Sequence, residues 1–214
     1  VMATLISFFQ AGGAFMYPIL LILAVGTAIV LDRWLFITRA RVNGLALWRQ
    51  VQEHIDGGRM DAARDACGKG RSPLHRVLHS GVDAMARAED REDVENAIEE
   101  SMMEIMPRLE SRLHYLPTLA NVATLLGLLG TIMGLIDAFT SVSVADPSQK
   151  AALLSKGISL AMVTTAFGLM TAIPLMLLYS ALHARTNALI DTLDEFAFKL
   201  INLVSSLHRK AARQ

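Results

Sequence analysis

Charge is missing from three long stretches of this 214-residue chain. Val1–Leu31, Leu113–Ile136 and Gly157–Leu182 contain no Asp, Glu, Lys or Arg, and each exceeds the roughly 20 residues that a membrane-spanning helix needs. A soluble core needs no such runs, and hydrophobic residues at 53% with aromatics at only 6% point the same way. The single cysteine, Cys67, excludes an internal disulfide and offers no nucleophilic pair. Lys+Arg and Asp+Glu balance at 20 each, so net charge identifies no partner. Nothing in the sequence resembles a phosphate-binding loop or a nucleic-acid surface. The first apolar stretch also lacks the basic start of a cleaved leader and runs into Asp32-Arg33-Trp34, so it reads as a retained span.

What is present organises into an all-α integral membrane protein with three transmembrane helices and long cytoplasmic helical extensions. Residues 1–14 read as a periplasmic interfacial segment, with a short helix over Met2–Gln10 before Gly12-Gly13, and 15–36 as the first span. A cytoplasmic helical region follows over 37–114, then the second span at 115–137, a periplasmic loop at 138–156, the third span at 157–182 and a cytoplasmic C-terminal helix at 183–214. Orientation follows from the flanking charges. Arg33, Arg39, Arg41, Arg108, Arg112 and Arg185 lie on one side and only Lys150 and Lys156 on the other, which places the N-terminus outside and the C-terminus inside.

Between the spans the periodicity is helical. Val94, Ile98, Met102, Ile105, Leu109, Leu113 and Leu116 recur every three or four residues and draw one apolar stripe that predicts a stalk helix fused to the second span. Asp90 and Asp93, in an acidic run from Glu89 to Glu104, suit its N-terminus. Pro107 and Pro117 predict bends or breaks. Shorter helices are expected over Ala46–Ile55, Asp61–Cys67 and Pro73–Arg87, separated by Gly57-Gly58 and by Gly68–Ser72. Ile190, Leu193, Phe196, Ala197, Leu200, Val204 and Leu207 make a second stripe that extends the third span. These stripes must bury against each other or against a neighbouring subunit, so an oligomer is expected.

Candidate chemical sites outside the membrane are weak. His75 and His79 share a helix face but lack the glutamate of a zinc-enzyme helix, and two ligands define no metal site. Cys67 reads as packing. Glu99, Glu100 and Glu104 read as a solvated face, lacking the Glu-x-x-His partner of a carboxylate metal centre. No cofactor, no metal and no turnover chemistry are expected.

Polar residues inside the spans carry more information. Thr124 and Thr131 lie seven apart in the second span, interleaved with Gly127, Gly130 and Gly134, and the Gly130/Gly134 step lets another helix approach closely. The third span combines Thr164, Thr165, Gly168 and Thr171 ahead of Pro174. With the two spans running in opposite directions, a rise of about 1.5 Å per residue puts Thr131 and Thr165 in almost the same membrane layer. Two readings stay open on spacing alone. The hydroxyls form a polar ring around a common centre, or each bonds a carbonyl of its own helix. No Asp, Glu, His or Lys occupies the centre of any span, and moving protons through a membrane ordinarily uses such a group. If this chain conducts protons, a partner supplies the titrating carboxylate.

The blocks LPTLANVATLLGLLGTIMGLIDAF (Leu116–Phe139) and KGISLAMVTTAFGLMTAIPLMLLYS (Lys156–Ser180) resemble the second and third spans of the MotA/TolQ/ExbB proton channel family, nearest its TolQ/ExbB branch. AGGAFMYPILLILAVGTAIVLDRW resembles its first span, and Arg41–Arg87 contributes least. The resemblance implies a homopentamer in the bacterial inner membrane whose second and third spans enclose a dimer of a single-span ExbD/TolR-like protein carrying the essential aspartate. It also implies that Thr131 and Thr165 line the channel. One departure stands out: five residues before the second threonine, where ExbB and TolQ have a glutamate, this chain has Leu160. Asp137 at the outer mouth is either a compensating group or a solvated charge. The expected mechanism is a motor. Protons from outside neutralise the partner's aspartate near the Thr131/Thr165 layer, let it cross apolar wall cheaply, and leave inward, so that force reaches a periplasmic protein such as a TonB-like one. Flagellar-type rotation, gliding and envelope maintenance stay open as the driven process. A secondary transporter is disfavoured by three dissimilar spans, and a non-conducting membrane scaffold is the remaining rival.

Overall fold

The computed structural model describes residues 13–40, 42–87 and 90–211, and these are helical with short turns. The expected interfacial helix over Met2–Gln10, together with Arg41 and Glu89, lies outside the described residues. Among the described residues seven helices follow in order: α1 Met16–Ala40, α2 Gly44–Asp56, α3 Met60–Gly68, α4 Pro73–Ala86, α5 Arg91–Glu110, α6 Tyr115–Val144 and α7 Lys150–Ala211. Three stretches, carried by α1, α6 and α7, are long and apolar enough to cross a membrane. The chain divides into two compact units, residues 1–32 with 112–182 and residues 33–111 with 183–214.

The first unit holds the start of α1, α6 and the first part of α7, and a methyl added at Gly26 of α1 would meet Leu175 of α7 at 2.7 Å. Gly13 adopts φ +68°, a left-handed conformation that glycine takes without steric cost, and its carbonyl accepts from the Met16 amide at 3.3 Å to begin α1. Only 22–33% of the apolar windows of the three candidate spans is buried. Leu21, Leu125, Ile132, Phe139, Met162 and Leu177 instead point outward. A surface of that kind in water would be a large exposed apolar patch. Around a three-helix membrane protein it is the face that lipid or another membrane helix covers.

Met16, Ile19, Leu116, Leu175 and Leu182 are fully buried in this unit, but the seam between α6 and α7 is built from the smallest residues. Ala123, Gly127, Gly130, Gly134 and Ala138 form the buried stripe of α6, stepping by three or four residues as one helix face must. Facing them on α7 are Gly157, Ala161, Thr164 and Gly168. A methyl added at Gly127 would meet the Thr165 Cα at 3.2 Å, and one added at Gly168 would meet the Ala123 carbonyl oxygen at 2.7 Å. The backbones therefore touch along the seam.

The second unit holds α2–α5, the end of α1 and the remainder of α7. Leu47, Val51, Leu74, Leu78, Ile98, Leu109, Leu193 and Leu200 belong to one continuous apolar core. Val94 to Leu109 of the first predicted stripe lie in it, as do Leu193, Phe196, Ala197, Leu200 and Val204 of the second, with Ile190 and Leu207 packed against it. Because they bury against each other within a single chain, they give no independent reason to expect an oligomer. Local signals explain the helix starts. The Asn43 side chain accepts from the Ala46 amide at 3.2 Å, and Ser72, followed by Pro73, accepts from the His75 amide at 3.4 Å. Asp90 takes the N-cap position of α5 without a side-chain cap bond, and Glu92 and Asp93 supply the negative charge of the first turn.

The predicted stalk is not fused to the second span. α5 stops at Glu110, and the turn over Ser111–His114 carries Arg112 at φ +65°, a left-handed conformation unusual for arginine. Pro117 falls in the first turn of α6, where its missing N–H costs nothing, and Pro107 lies inside α5 close to its end. Arg33, only 6% exposed, donates to the Arg108 carbonyl at 3.2 Å and to Ser111 Oγ at 3.1 Å. A cation there satisfies a terminal carbonyl and complements the helix dipole. Within 138–156, read from the sequence as a periplasmic loop, residues 145–149 are outside the helices, since α6 runs on to Val144 and α7 begins at Lys150.

Replacing Gly168 by leucine should destabilise the purified protein by about 1–3 kcal/mol, because the new side chain starts on the Ala123 carbonyl. Met170→Leu, at an exposed position of α7, should stay within about 0.5 kcal/mol of the parent. Thermal unfolding in detergent measures both.

Candidate functional site: the threonine layer between α6 and α7

Thr124, Thr131, Thr164 and Thr165 each have a definite hydrogen-bond role. Thr124 donates to the Ala120 carbonyl at 3.1 Å, Thr131 to Leu128 at 2.6 Å and Thr164 to Leu160 at 2.8 Å. These are bonds of a hydroxyl to its own helix, the plainer of the two readings that spacing allows. Thr165 differs. Its hydroxyl crosses the seam and donates to the Gly127 carbonyl at 2.9 Å.

That single bond ties the two predicted residues together. In the continuous helix α6 the Gly127 carbonyl is the one that the ladder pairs with the Thr131 amide, about 6 Å back along the axis. Thr131 itself sits about 40° around the helix from Gly127, at about 100° per residue. Gly127 is buried against α7 and Thr131 is half-buried, so Thr131 lies at the margin of the seam, next to the half-buried Thr165. Thr164 faces fully inward at 1% exposure, with its methyl in the notch left by Gly130.

The packing residues named from sequence divide in the same way. Gly127, Gly130, Gly134 and Gly168 all lie in the seam, whereas Pro174 is exposed on α7, which continues through it as helix. Sequence reasoning left out Ala123, Ala138, Gly157 and Ala161. Their spacing from the named glycines was the available signal. Thr171, also in the seam region, is buried at 1%, and its hydroxyl has no hydrogen-bond partner. Leu160, where the resembling proteins have a glutamate, lies where a methyl added at Gly13 would meet its Cδ1 at 3.3 Å, and it lends its carbonyl to Thr164. Asp137 is exposed near the end of the apolar stretch.

The alternative sites in the second unit have structural explanations. His75 Nδ1 shares a 2.8 Å hydrogen bond with Ser72 Oγ, and burial lowers its pKa, favouring the neutral ring. It lines a polar cleft of about 720 Å³ with Cys67, Arg76, His79, Asp83 and Glu104. Among the described residues no group of three or more His, Cys, Asp or Glu is arranged to hold a metal ion. Glu104 is held by Arg76 and Arg108, each at 2.8 Å, and the Arg76 hydrogen bond and charge keep its carboxyl below the usual range. Burial pushes the Cys67 thiol up to about 12, which leaves it protonated and inert at neutral pH.

The structure thus defines a multi-pass membrane protein whose polar feature within the bilayer is a hydroxyl-bearing seam between two antiparallel spans. Comparison with known proteins makes the class specific. The sequence pattern of the MotA/TolQ/ExbB proton channel family matches residues 69–195, and this chain belongs to that family. It is 31% identical over 194 residues to an ExbB-homologous biopolymer transport protein of Methanothermobacter thermautotrophicus, covering 89% of this chain and 67% of that one. Against the biopolymer transport protein ExbB of Neisseria gonorrhoeae it is 28% identical over 196 residues, covering 85% and 86%. Similarity to the Tol-Pal system protein TolQ of Haemophilus influenzae reaches 35% over 103 residues, 48% of this chain and 43% of TolQ.

Thr165→Val removes the bond across the seam but leaves the Gly127 carbonyl with its helical partner. Unfolding in detergent should therefore show a loss of about 0.6–1.7 kcal/mol, the range measured for hydrogen bonds between membrane helices. Thr165→Ser should restore most of it.

Proposed function

We propose that this chain is the wall-forming subunit of an ExbB/TolQ-like motor of a bacterial inner membrane, with its N-terminus outside and its C-terminus in the cytoplasm, and that it is not an enzyme. Five copies surround two helices of a single-span ExbD/TolR-like partner, and proton motive force drives one part against the other. The output reaches the periplasm or outer membrane, as in TonB-dependent uptake.

The observation that carries this reading is the bond of the Thr165 hydroxyl to the Gly127 carbonyl, about one helical turn from Thr131, in spans without a central titratable group. Such a layer is polar enough to receive a carboxyl group and cannot titrate by itself. The proton-binding group then has to arrive on another subunit, and family membership supplies the kind of subunit. Leu160 strengthens the requirement, since this wall has no glutamate of its own at that position. A neutral carboxylic acid crosses the outward apolar surface of α6 and α7 at modest cost, whereas an ionised one does not. Rotation in steps follows from that difference.

Native mass spectrometry of the chain, co-expressed with its single-span partner and extracted from membranes, tests the assembly. Five copies holding two partner copies are expected, and Thr131→Val should assemble in the same ratio while losing motor output. A stable oligomer that never takes up the partner, or full output from Thr131→Val, would make the chain a structural scaffold instead.

A further inference from the structure

The outward face of α1 ends in an aromatic ring with a cation laid over it. Leu20, Ala24, Thr27, Leu31 and Trp34 are exposed and step by three or four residues along α1, so they share one side of the helix. The Thr27 hydroxyl is spent on the Leu23 carbonyl at 2.7 Å, which leaves the face apolar. Trp34, 42% exposed, closes it. The guanidinium carbon of Arg185 lies over the Trp34 ring, 4.3 Å from its centroid. Trp34 and Arg185 each come three residues after the last residue of a charge-free run, Leu31 in α1 and Leu182 in α7. That is the level at which a span meets the headgroup region, where tryptophan and arginine are at home.

The pair has donors and no protein acceptor. A guanidinium carries five N–H groups and an indole one, and neither can accept. Among the described residues the side chains of Trp34 and Arg185 make the ring contact with each other and no hydrogen bond or ion pair. The neighbouring arginines differ. Arg33 is buried on the Arg108 carbonyl and Ser111, and Arg112 is paired with Asp32 at 3.2 Å. Asp32, the one carboxylate of α1, is also turned about 160° around the helix from Trp34. On α7 the first carboxylate after Arg185 is Asp191. The Arg185 charge is therefore uncompensated, and the ring under it fixes the planar fork, so less side-chain freedom is left to lose on binding. Such a fork matches a phosphate. A ligand that also uses the adjoining apolar face carries hydrocarbon beside its phosphate.

We propose that Trp34 and Arg185 form a headgroup site for an anionic phospholipid. The guanidinium and the indole N–H bind its phosphate, and its acyl chains lie along Leu31, Thr27, Ala24 and Leu20 of α1. The inference needs the three membrane spans and not the motor, so it goes beyond the function proposed above. Its consequence is a fixed depth for α1: a bound headgroup pins the Trp34 end of the helix at the surface of one leaflet.

Quenching of Trp34 fluorescence by lipids with brominated chains tests this on the full chain in lipid nanodiscs, whose two faces are both open to solvent. The sequence has two tryptophans, and Trp48 is buried at 8% in the core of the second unit, so a Trp34→Phe variant supplies the blank. Brominated phosphatidylglycerol, present as a small fraction in phosphatidylcholine, should be preferred at Trp34 over brominated phosphatidylcholine by about fivefold, the factor that one basic side chain carries at an anionic membrane surface. Arg185→Gln should bring the ratio to about one, the value for lipids bound without preference. Arg39→Gln removes an exposed cation about 140° around α1 from Trp34 and should keep the parent ratio. Equal quenching by the two lipids in the parent overturns the inference, and so does a preference that survives Arg185→Gln. An equal fall in both glutamine variants overturns it as well, because the preference would then belong to diffuse surface charge. Exchanging chloride for inorganic phosphate at constant ionic strength should leave the ratio unchanged; its collapse would make the pair a site for a free anion and not for a lipid.

Discussion

The backbone contact between α6 and α7 is the constraint from which the membrane unit follows. Glycines and alanines on both helices remove the side chains that would hold the axes apart, so a hydroxyl on α7 can reach a carbonyl inside the ladder of α6. With leucine at 127 or 168 the Thr165 hydroxyl would stand too far from Gly127 to bond it. In lipid the gain is packing and hydrogen bonding and not the exclusion of water, which is why the seam is assembled from the smallest residues. The same contact fixes which surface of the pair carries Thr131 and Thr165.

A different balance operates in the water-facing unit. Its helices are short or charged on one face, and they are stable because each apolar stripe meets another in a shared core. Buried Arg33 takes part by closing the end of α5, where a carbonyl would otherwise be left without a helical partner. The surface ion pairs, such as Glu104 with Arg76 and Arg108, stand largely in solvent and add little by comparison. Cys67, His75 and Glu104 line one cleft, yet each is accounted for by packing, capping or ion pairing. The proposed function accordingly rests on the layer between α6 and α7 and not on the more polar cleft.

Much of this was legible in the residues. Three uncharged runs gave three span-length helices, and Gly57-Gly58 and Gly68–Ser72 marked the breaks between the short helices closely. The stalk was harder to read. The stripe from Val94 to Leu116 is continuous in periodicity and all its members are buried, yet the helix breaks at Ser111–His114. Periodicity records which residues are buried and not whether the hydrogen-bond ladder is unbroken. Pro107 and Pro117 were the only signs, and neither sits at the turn itself. In the membrane, spacing placed Thr131 and Thr165 in one layer but could not tell a bond to the same helix from one across the seam. Thr164 and Thr165 are adjacent in sequence and do opposite things, because a step of about 100° turns one into the seam and the other to its margin.

The central claim is that this chain builds a proton-conducting wall but does not hold the titrating group. Proton flux into liposomes under an imposed gradient tests it most directly, comparing the chain alone with the chain reconstituted together with its single-span partner. Flux should appear only with the partner and vanish when the partner's membrane aspartate is replaced by asparagine. Equal flux from the chain alone would contradict the account, since a proton path would then exist without a carboxyl supplied by another subunit.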